Sequence, residues 1–451
     1  MGRKSFDMKI EMPRKVVLII TNLQQHGYEA YAVGGCVRDS ILNRTPEDWD
    51  ITTSAKPEEI KQLFRRTVDT GIEHGTVTVL IGRDAFEVTT YRVDGKYEDS
   101  RHPTEVTFTN QLEEDLKRRD FTINAMAYND QVRLVDVFGG MKDLNYHLIR
   151  CVGEPRERFS EDALRILRAV RFSAQLAFPI ELETADAIRE LVPTLANISA
   201  ERIQTELVKL LVSDHPEYIK TAYELGITKV ILPEWDAMVG VGQNTPHHKY
   251  DVAEHTIHAL QNVKNDKVLR LVMLFHDMGK PVMKTTDENG RDHFKGHAAV
   301  SEEIARIVMK RLKFDNETIR KVTKLVYYHD YRMEPNAQNV RKAMHLIGTE
   351  LFPYYLAIRL ADTMAQSGYQ KREKLENLIE IRKHFINALR NRECVSLKML
   401  AVTGRDLIAL GMEPGKQLGE MLDELLEKVI LDPKFNKKEQ LCSYVKEKLS
   451  H

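Results

Sequence analysis

The stretch 31–53, YAVGGCVRDSILNRTPEDWDITT, constrains this chain more than any other part of it. Its order reads as strand, glycine turn, short helix, loop, strand. Residues 31–33 are a β-prone run, and Gly34 and Gly35 follow with no Cβ to bar a close ligand. Residues 36–43 can form a short helix whose N-terminal amides face the space beside the glycines, which suits a phosphate. Asp48 and Asp50 open the next strand, and residues two apart on a strand share a face. Two carboxylates on one face repel each other unless a cation sits between them. Hard oxygen ligands of this kind suit Mg²⁺, which often binds through one or two carboxylates plus substrate phosphates. A phosphate cradle beside a carboxylate pair points to chemistry on a nucleotide.

The rest of the chain sets limits. Its 451 residues imply about three domains. The formal net charge is −1, so any RNA contact must use local basic faces rather than a global attraction. Cys36, Cys151, Cys394 and Cys442 are scattered, with no C-x-x-C pair, which argues against a zinc ribbon or a disulfide framework. The longest apolar runs, such as 268–275, are too short to span a bilayer. The N-terminus has basic residues but no signal-peptide apolar core. A cytoplasmic setting with no membrane partner is expected, and no protein partner can be inferred.

Pro13 followed by Val16, Val17, Ile19, Ile20 and Leu23 predicts a helix ending near Gly27. Residues 57–65 read as a second short helix. Strand-like runs follow at 76–81, 85–92, 106–109 and 132–137. The expected organisation is an α+β head over 1–150 with a small mixed β-sheet. An all-α neck (151–245), a second all-α domain (246–365) and a helical tail (366–451) come after it.

GGCVRD followed by DWD resembles the nucleotidyltransferase head of the class II tRNA CCA-adding enzymes and bacterial poly(A) polymerases. The resemblance implies that Asp48 and Asp50 are catalytic and hold Mg²⁺, with a third carboxylate at Glu87 in FEVTTYR. Gly34, Gly35 and Arg38 would cradle the triphosphate. Arg118, Arg119 and Asp120 in LKRRDFTIN match the family's RRD motif, and Asn124 could add a polar contact. An arginine fork grips phosphate or ribose oxygens, and Asp120 could accept from a ribose hydroxyl. Asp136 with Gly139 and Gly140 resembles a hinge motif. The loop 94–101, DGKYEDSR, looks like the flexible loop used in switching from C to A addition, at full length.

In EDALRILRAVRF, Asp162 and Arg165 stand three apart and are expected on one helix face, with Arg168 and Arg171 continuing the stripe. Aspartate only accepts and arginine only donates. Cytosine and adenine each offer an amino donor beside a ring-nitrogen acceptor, so the pair can read both. Uracil and guanine present the reverse and would leave buried groups unpaired, at about 1–3 kcal/mol each. The matching family motif is assigned this template role. Glu201, Arg202 and Glu206 are expected to brace the neck, with Ser199 capping their helix.

A second constellation lies in the third segment: His255, His276-Asp277, His297, His329 and Asp362. Their order resembles the HD metal-dependent phosphohydrolase superfamily. The resemblance implies a divalent metal of open identity at His255, His276, Asp277 and Asp362, with His297 and His329 as further candidates. Lys280 could touch a phosphate. In the tail, Lys416 begins a helix after Pro414-Gly415, next to the space a backbone phosphate could take.

Together these readings predict a CCA tRNA nucleotidyltransferase that adds C, C and A to tRNA 3′ ends from CTP and ATP without a nucleic-acid template. Its partners are tRNA, CTP and ATP, and its HD domain is a candidate phosphohydrolase. The alternatives are a poly(A) polymerase or A-adding enzyme, an HD phosphohydrolase with an RNA-binding head, and a non-catalytic HD module that binds tRNA.

Overall fold

Pro13 ends an extended segment, and helix Arg14–Gln25 begins directly after it in the computed structural model, which describes residues 4–95 and 106–450. Val16, Ile19, Ile20 and Leu23 recur at helical spacing and are all buried. Burial of each such side chain contributes about 1.5–3 kcal/mol. Most of the loop 94–101 (residues 96 onward) lies outside the described residues. Backbone packing divides the chain into two units, 1–233 and 234–451.

The first unit is built on one mixed sheet. Its strands are β1 (Lys4–Phe6), β2 (Ala30–Val33), β3 (Asp50–Thr53), β4 (Thr67–Gly71), β5 (Thr76–Ile81), β6 (Asp84–Thr90), β9 (Met126–Asn129) and β10 (Arg133–Asp136). Between them, β7 (Arg92–Asp94) and β8 (Val106–Phe108) form a separate antiparallel pair. The main sheet runs in the order β1-β10-β9-β2-β3-β6-β5-β4. Among the described strands, only β3 and β6 pair in parallel, in the register Ile51↔Val88. The sheet is therefore mixed, as expected, with eight strands among the described residues. Tyr31, Val33, Tyr91, Leu112, Leu116, Ala127 and Val135 form one of its buried clusters.

Asp136 ties together the turn that carries the hinge-like motif. Its Oδ1 accepts from the backbone N–H groups of Gly139 and Gly140 at 2.9 and 2.8 Å, and its Oδ2 from Met141 at 2.9 Å. The turn is a tied helix start. A Cβ on Gly140 would stand 2.4 Å from the Thr122 carbonyl oxygen, so the chain needs glycine there.

Helices follow the sheet within the same unit: Pro155–Glu161, Leu164–Leu176, Leu182–Leu191 and Ala200–Leu211. Leu167 and Val170 share an apolar seam with Leu207 and Leu210. Ser199 is the N-cap residue of its helix but makes no side-chain cap, contrary to expectation.

The second unit is helical apart from a hairpin of Thr285–Thr286 with Asp292–His293. Helix Val252–Gln261 packs on Phe352–Ala365, and Asn316–Tyr327 packs on both Lys267–Phe275 and His297–Arg311. The tail closes a core of its own, in which Leu425, Leu426 and Val429 meet Leu407, Leu441 and Val445. Lys416 stands at its helix start, exposed, and pairs with Glu420 at 3.3 Å.

Candidate active site

The two early carboxylates come from a strand and the loop that feeds it. Asp50 is the first residue of β3, Asp48 lies in the loop two residues before it, and both line one cavity. Because β3 and β6 run parallel with Ile51 beside Val88, Glu87 stands next to Asp50 on the neighbouring strand. The electrostatics agree with that placement. Asp50 opens to a cavity, yet the protein around it desolvates it and pushes its carboxyl above the ordinary value; Arg119 opposes the rise and Asp48 adds to it. Glu87 is raised by burial first, then by Asp50 and Asp48. Two carboxyls that resist ionising, Asp50 and Glu87, with the Asp48 carboxyl acting on both, form a site in want of a divalent cation.

The cavity beside them holds about 340 Å³. Gly34, Gly35, Arg38, Asp48, Asp50, Arg119, Asp120, Asn124, Arg168 and Arg171 all line it. Gly34 has φ +83°, and a Cβ there would stand 3.2 Å from Arg119 Nη1. Glycine thus lets the backbone come up against the guanidinium that reaches toward the acidic edge.

The polar rim is a linked network. Arg38 Nη1 donates to Asn124 Oδ1 at 2.6 Å, and Asn124 Nδ2 donates to Asp120 Oδ1 at 3.2 Å. Asp120 Oδ1 also accepts from the Phe121 amide at 2.8 Å, and its Oδ2 accepts from Arg168 Nε at 2.7 Å. Burial alone would raise the Asp120 carboxyl, but Arg168 and Asn124 outweigh it and hold the group at about 2. Asp120 lines the cavity while its carboxylate oxygens already accept from Asn124, Phe121 and Arg168. Arg38, Arg168 and Arg171 surround the Phe172 ring at 5.0, 5.3 and 4.1 Å. Three cations share one aromatic ring at the wall of an anion-sized cavity.

Arg118 departs from its expected place. Its Nε and Nη2 donate to Asp115 Oδ1 at 3.0 and 2.8 Å. Asp115 is fully buried and also accepts from Thr52 Oγ1 at 3.0 Å. A buried charge needs a partner; Arg118 supplies the nearest and Arg119 Nη2 a second at 3.5 Å, and of the two arginines Arg119 also lines the cavity, with Asp120.

Asp162 and Arg165 do not share a helix. Helix Pro155–Glu161 ends before Asp162, and Leu164–Leu176 starts after it. Asp162 Oδ1 accepts from the Leu164 amide at 3.0 Å and Oδ2 from Arg202 Nη2 at 2.8 Å. Arg165 Nη1 binds Glu161, and its Nη2 donates to the Arg118 carbonyl at 2.8 Å. Neither residue lines the cavity described above.

Phe172, Gln175 and Lys209 line the cavity and were not singled out from the sequence. Phe172 carried a signal, an aromatic residue following Arg168-Ala-Val-Arg171. Lys209 sits on helix Ala200–Leu211, three residues past Glu206, on an element read from the sequence only as a brace for the neck. Arg171 meets Glu206 instead of solvent, Nε to Oε2 at 2.6 Å, with both side chains buried.

The second unit gathers its own set. His255 Nε2 lies 2.8 Å from Asp362 Oδ1 and 3.4 Å from His276 Nε2. His297 Nε2 lies 3.1 Å from His329 Nε2. Asp277 stands between the groups: Oδ2 is 3.3 Å from His276 Nε2, and Oδ1 is 3.3 Å from His297 Nε2. Two triads, His255/His276/Asp277 and Asp277/His297/His329, each bring their ligand atoms within 4.8 Å. Every one of these rings sets Nδ1 against a backbone carbonyl: Ala365, Met273, Phe294 and Val326 for His255, His276, His297 and His329. That arrangement orients Nε2 inward and is the usual support of a metal-binding imidazole. Burial opposes a charge on His276, but Asp277 and Asp362 raise it to about 10. Lys280 is buried, its ammonium 2.8 Å from Asp277 and 2.7 Å from Gln243, so it braces Asp277 rather than meeting a phosphate.

Comparison with known proteins matches the chain to three family models. They are the poly A polymerase head domain over residues 30–150, the probable RNA and SrmB-binding site of polymerase A over 177–239, and the putative tRNA nucleotidyltransferase domain 2 over 294–445. A CCA-adding enzyme of Enterococcus faecalis is 36% identical over 96% of this chain and 95% of its own. One of Levilactobacillus brevis is 36% identical over 97% and 98%. Among solved structures, the Bacillus stearothermophilus CCA-adding enzyme in complex with CTP is similar at a TM-score of 0.72 and 29% identity, covering 97% of this chain and 98% of its own. The Thermotoga maritima CCA-adding enzyme complexed with tRNA shares the fold at a TM-score of 0.56 and 21% identity.

Proposed function

Since the chain belongs to the CCA-adding enzyme family, we propose that it adds C, C and A to tRNA 3′ ends from CTP and ATP. The observation that carries the reading is the cavity of the first unit, whose acidic edge at Asp48 and Asp50 faces a rim of Arg38, Arg119, Arg168 and Arg171. A nucleoside triphosphate needs both: carboxylates toward a metal-bound phosphate and cations toward the remaining phosphate charge. Asp48 and Asp50, with Glu87 alongside, are the residues that would hold Mg²⁺, which when bound would supply activation of the attacking 3′-hydroxyl and charge stabilisation for departing pyrophosphate. Gly34 leaves room for the phosphates, and Arg119 neutralises their charge.

Asp162 and Arg165 are assigned to base choice. Each carboxylate oxygen of Asp162 accepts once in this structure and retains a second lone pair for a base amino group. Arg165 would exchange its Glu161 contact for the ring nitrogen. The head, neck, HD and tail division at 150, 245 and 365 belongs to this proposal, as does a cytoplasmic location. No helix among the described residues is long and apolar enough to cross a membrane.

Incubation with labelled CTP, then ATP, on a tRNA lacking its last three nucleotides tests the reading. Incorporation of ATP without CTP would assign the chain to A-adding or poly(A) chemistry instead. Asp48→Asn with Asp50→Asn should abolish addition of both nucleotides.

The inward-facing imidazoles of the second unit favour a further assignment: His255, His276, Asp277 and Asp362, together with His297 and His329, hold divalent metal. A metal there would lower the pKa of bound water for phosphoester hydrolysis.

A further inference from the structure

We propose that the groove between helices His297–Arg311 and Asn316–Tyr327 is an RNA-backbone site, a contact surface in addition to the head cavity. The groove holds about 520 Å³. Its floor is Ile319 and Thr323, both buried, and its rim carries Arg306, Lys310, Arg320 and Lys324. Tyr327 and Tyr328 close one end.

The charges on this rim are unequal in a telling way. Arg306 binds Glu302, and Arg320 binds Glu317 and Glu350 at 2.9 and 2.8 Å. Lys310 and Lys324 have no carboxylate within ion-pair distance among the described residues, in a chain whose acids and bases nearly balance. Two unneutralised ammoniums on facing helices mark the place where an external polyanion gains most. Arg306 and Lys310 are one helical turn apart, about 6 Å along the axis, so successive cations can meet successive phosphates of one strand.

The aromatic end favours RNA over an acidic protein. Tyr327 is 49% exposed, its ring 5.0 Å from that of Tyr328 and nearly perpendicular to it. A bare tyrosine face supported edge-on by a second ring is a platform for a base, and such stacking contributes about 1–3 kcal/mol per base. Exposed aromatic surface beside free lysines is the composition of a nucleic-acid groove rather than of a solvated helix pair.

The inference rests on the chain acting on RNA, and the test separates the two. Binding of the full chain to a tRNA lacking CCA is measured from about 50 to 200 mM salt. In Lys310→Glu/Lys324→Glu the affinity should fall ~10-fold or more, and the slope of log affinity against log salt should shrink by about 2. CTP addition at saturating tRNA should keep its kcat. Lys310→Arg/Lys324→Arg should retain affinity and slope, which shows that the reversal acts through charge and not through folding. Tyr327→Ala should weaken binding with the slope unchanged. Unaltered affinity and slope in the charge-reversed variant would overturn the proposal and leave the groove to an acidic protein surface. Failure of the wild-type chain to add CTP would count against the proposed function alone, because RNA affinity is read independently.

Discussion

Asp162 is held by Arg202 across 40 residues of chain, Oδ2 accepting from Nη2 at 2.8 Å. The contact exists because the helix breaks after Glu161, which turns Asp162 out of the stripe and toward helix Ala200–Leu211. On the proposed role of Asp162 in base choice, Arg202 is a positioning residue for its carboxylate. Arg202→Ala should leave Asp162 free to rotate and reduce the preference for CTP over UTP about tenfold, the equivalent of one charged hydrogen bond of about 1.4 kcal/mol. Competition between labelled CTP and UTP measures it, and Arg202→Lys should recover part of the preference. An unchanged ratio would remove Arg202 from base choice.

Arg171 and Glu206 form a buried pair whose charge is not matched by ideal geometry. Their closest atoms are 2.6 Å apart, yet neither Arg171 Nε nor Glu206 Oε2 makes a well-directed hydrogen bond. Burial pushes the guanidinium down to about 10, with Glu206 opposing the shift. Glu206→Gln would leave a buried cation uncompensated and should cost about 3–5 kcal/mol of stability. Arg171→Met with Glu206→Leu should recover most of it, since the pair itself contributes little net energy. Denaturant unfolding followed by a probe in the first unit distinguishes the two variants.

Much of this was legible in the sequence because it is local. Gly34, Gly35, Asp48 and Asp50 lie within one strand-turn-helix-strand passage, so spacing alone aligned them. Glu87 needed a parallel register that only the motif supplied. Arg118 and Arg119 are adjacent and chemically identical, and both reach Asp115, a buried carboxylate that also accepts from Thr52; that Arg119 lines the cavity and Arg118 does not was not legible from spacing. Asp162 and Arg165 carried helical spacing across a helix break that no glycine or proline marks. Lys280 read as a phosphate contact because its burial comes from Gln243 and Phe294, both remote in sequence.

Asp120 gives the site a measurable acid limit. Its carboxyl sits at about 2 against an ordinary 3.8, lowered by Arg168 and Asn124 despite burial. The folded value is below the unfolded one, so the stabilisation is complete above about pH 4 and is lost as pH falls toward 2. The amount is about 2 kcal/mol. Asp120→Asn should lower stability at neutral pH and show a flatter decline between pH 4 and 2 than the wild type. Urea unfolding across that range checks it, and parallel curves would show that Asp120 is not the group responsible.

Asp277 divides its two oxygens between separate imidazole pairs, Oδ2 toward His255 and His276 and Oδ1 toward His297 and His329. A neutral amide in its place keeps the shape but loses the charge that balances a divalent ion, and one of its two positions becomes a donor. Asp277→Asn should therefore empty the centre while the head continues to add CTP and ATP. Elemental analysis of protein purified without chelator should find divalent metal in the wild type and little in the variant. Restoring metal to chelated wild type at about 100 times its dissociation constant should stabilise the chain by about 2.7 kcal/mol. The variant should show no such gain. Wild-type protein that carries no metal, and whose melting temperature ignores added Mn²⁺, Zn²⁺ and Ni²⁺, would reduce the six residues to a buried polar network.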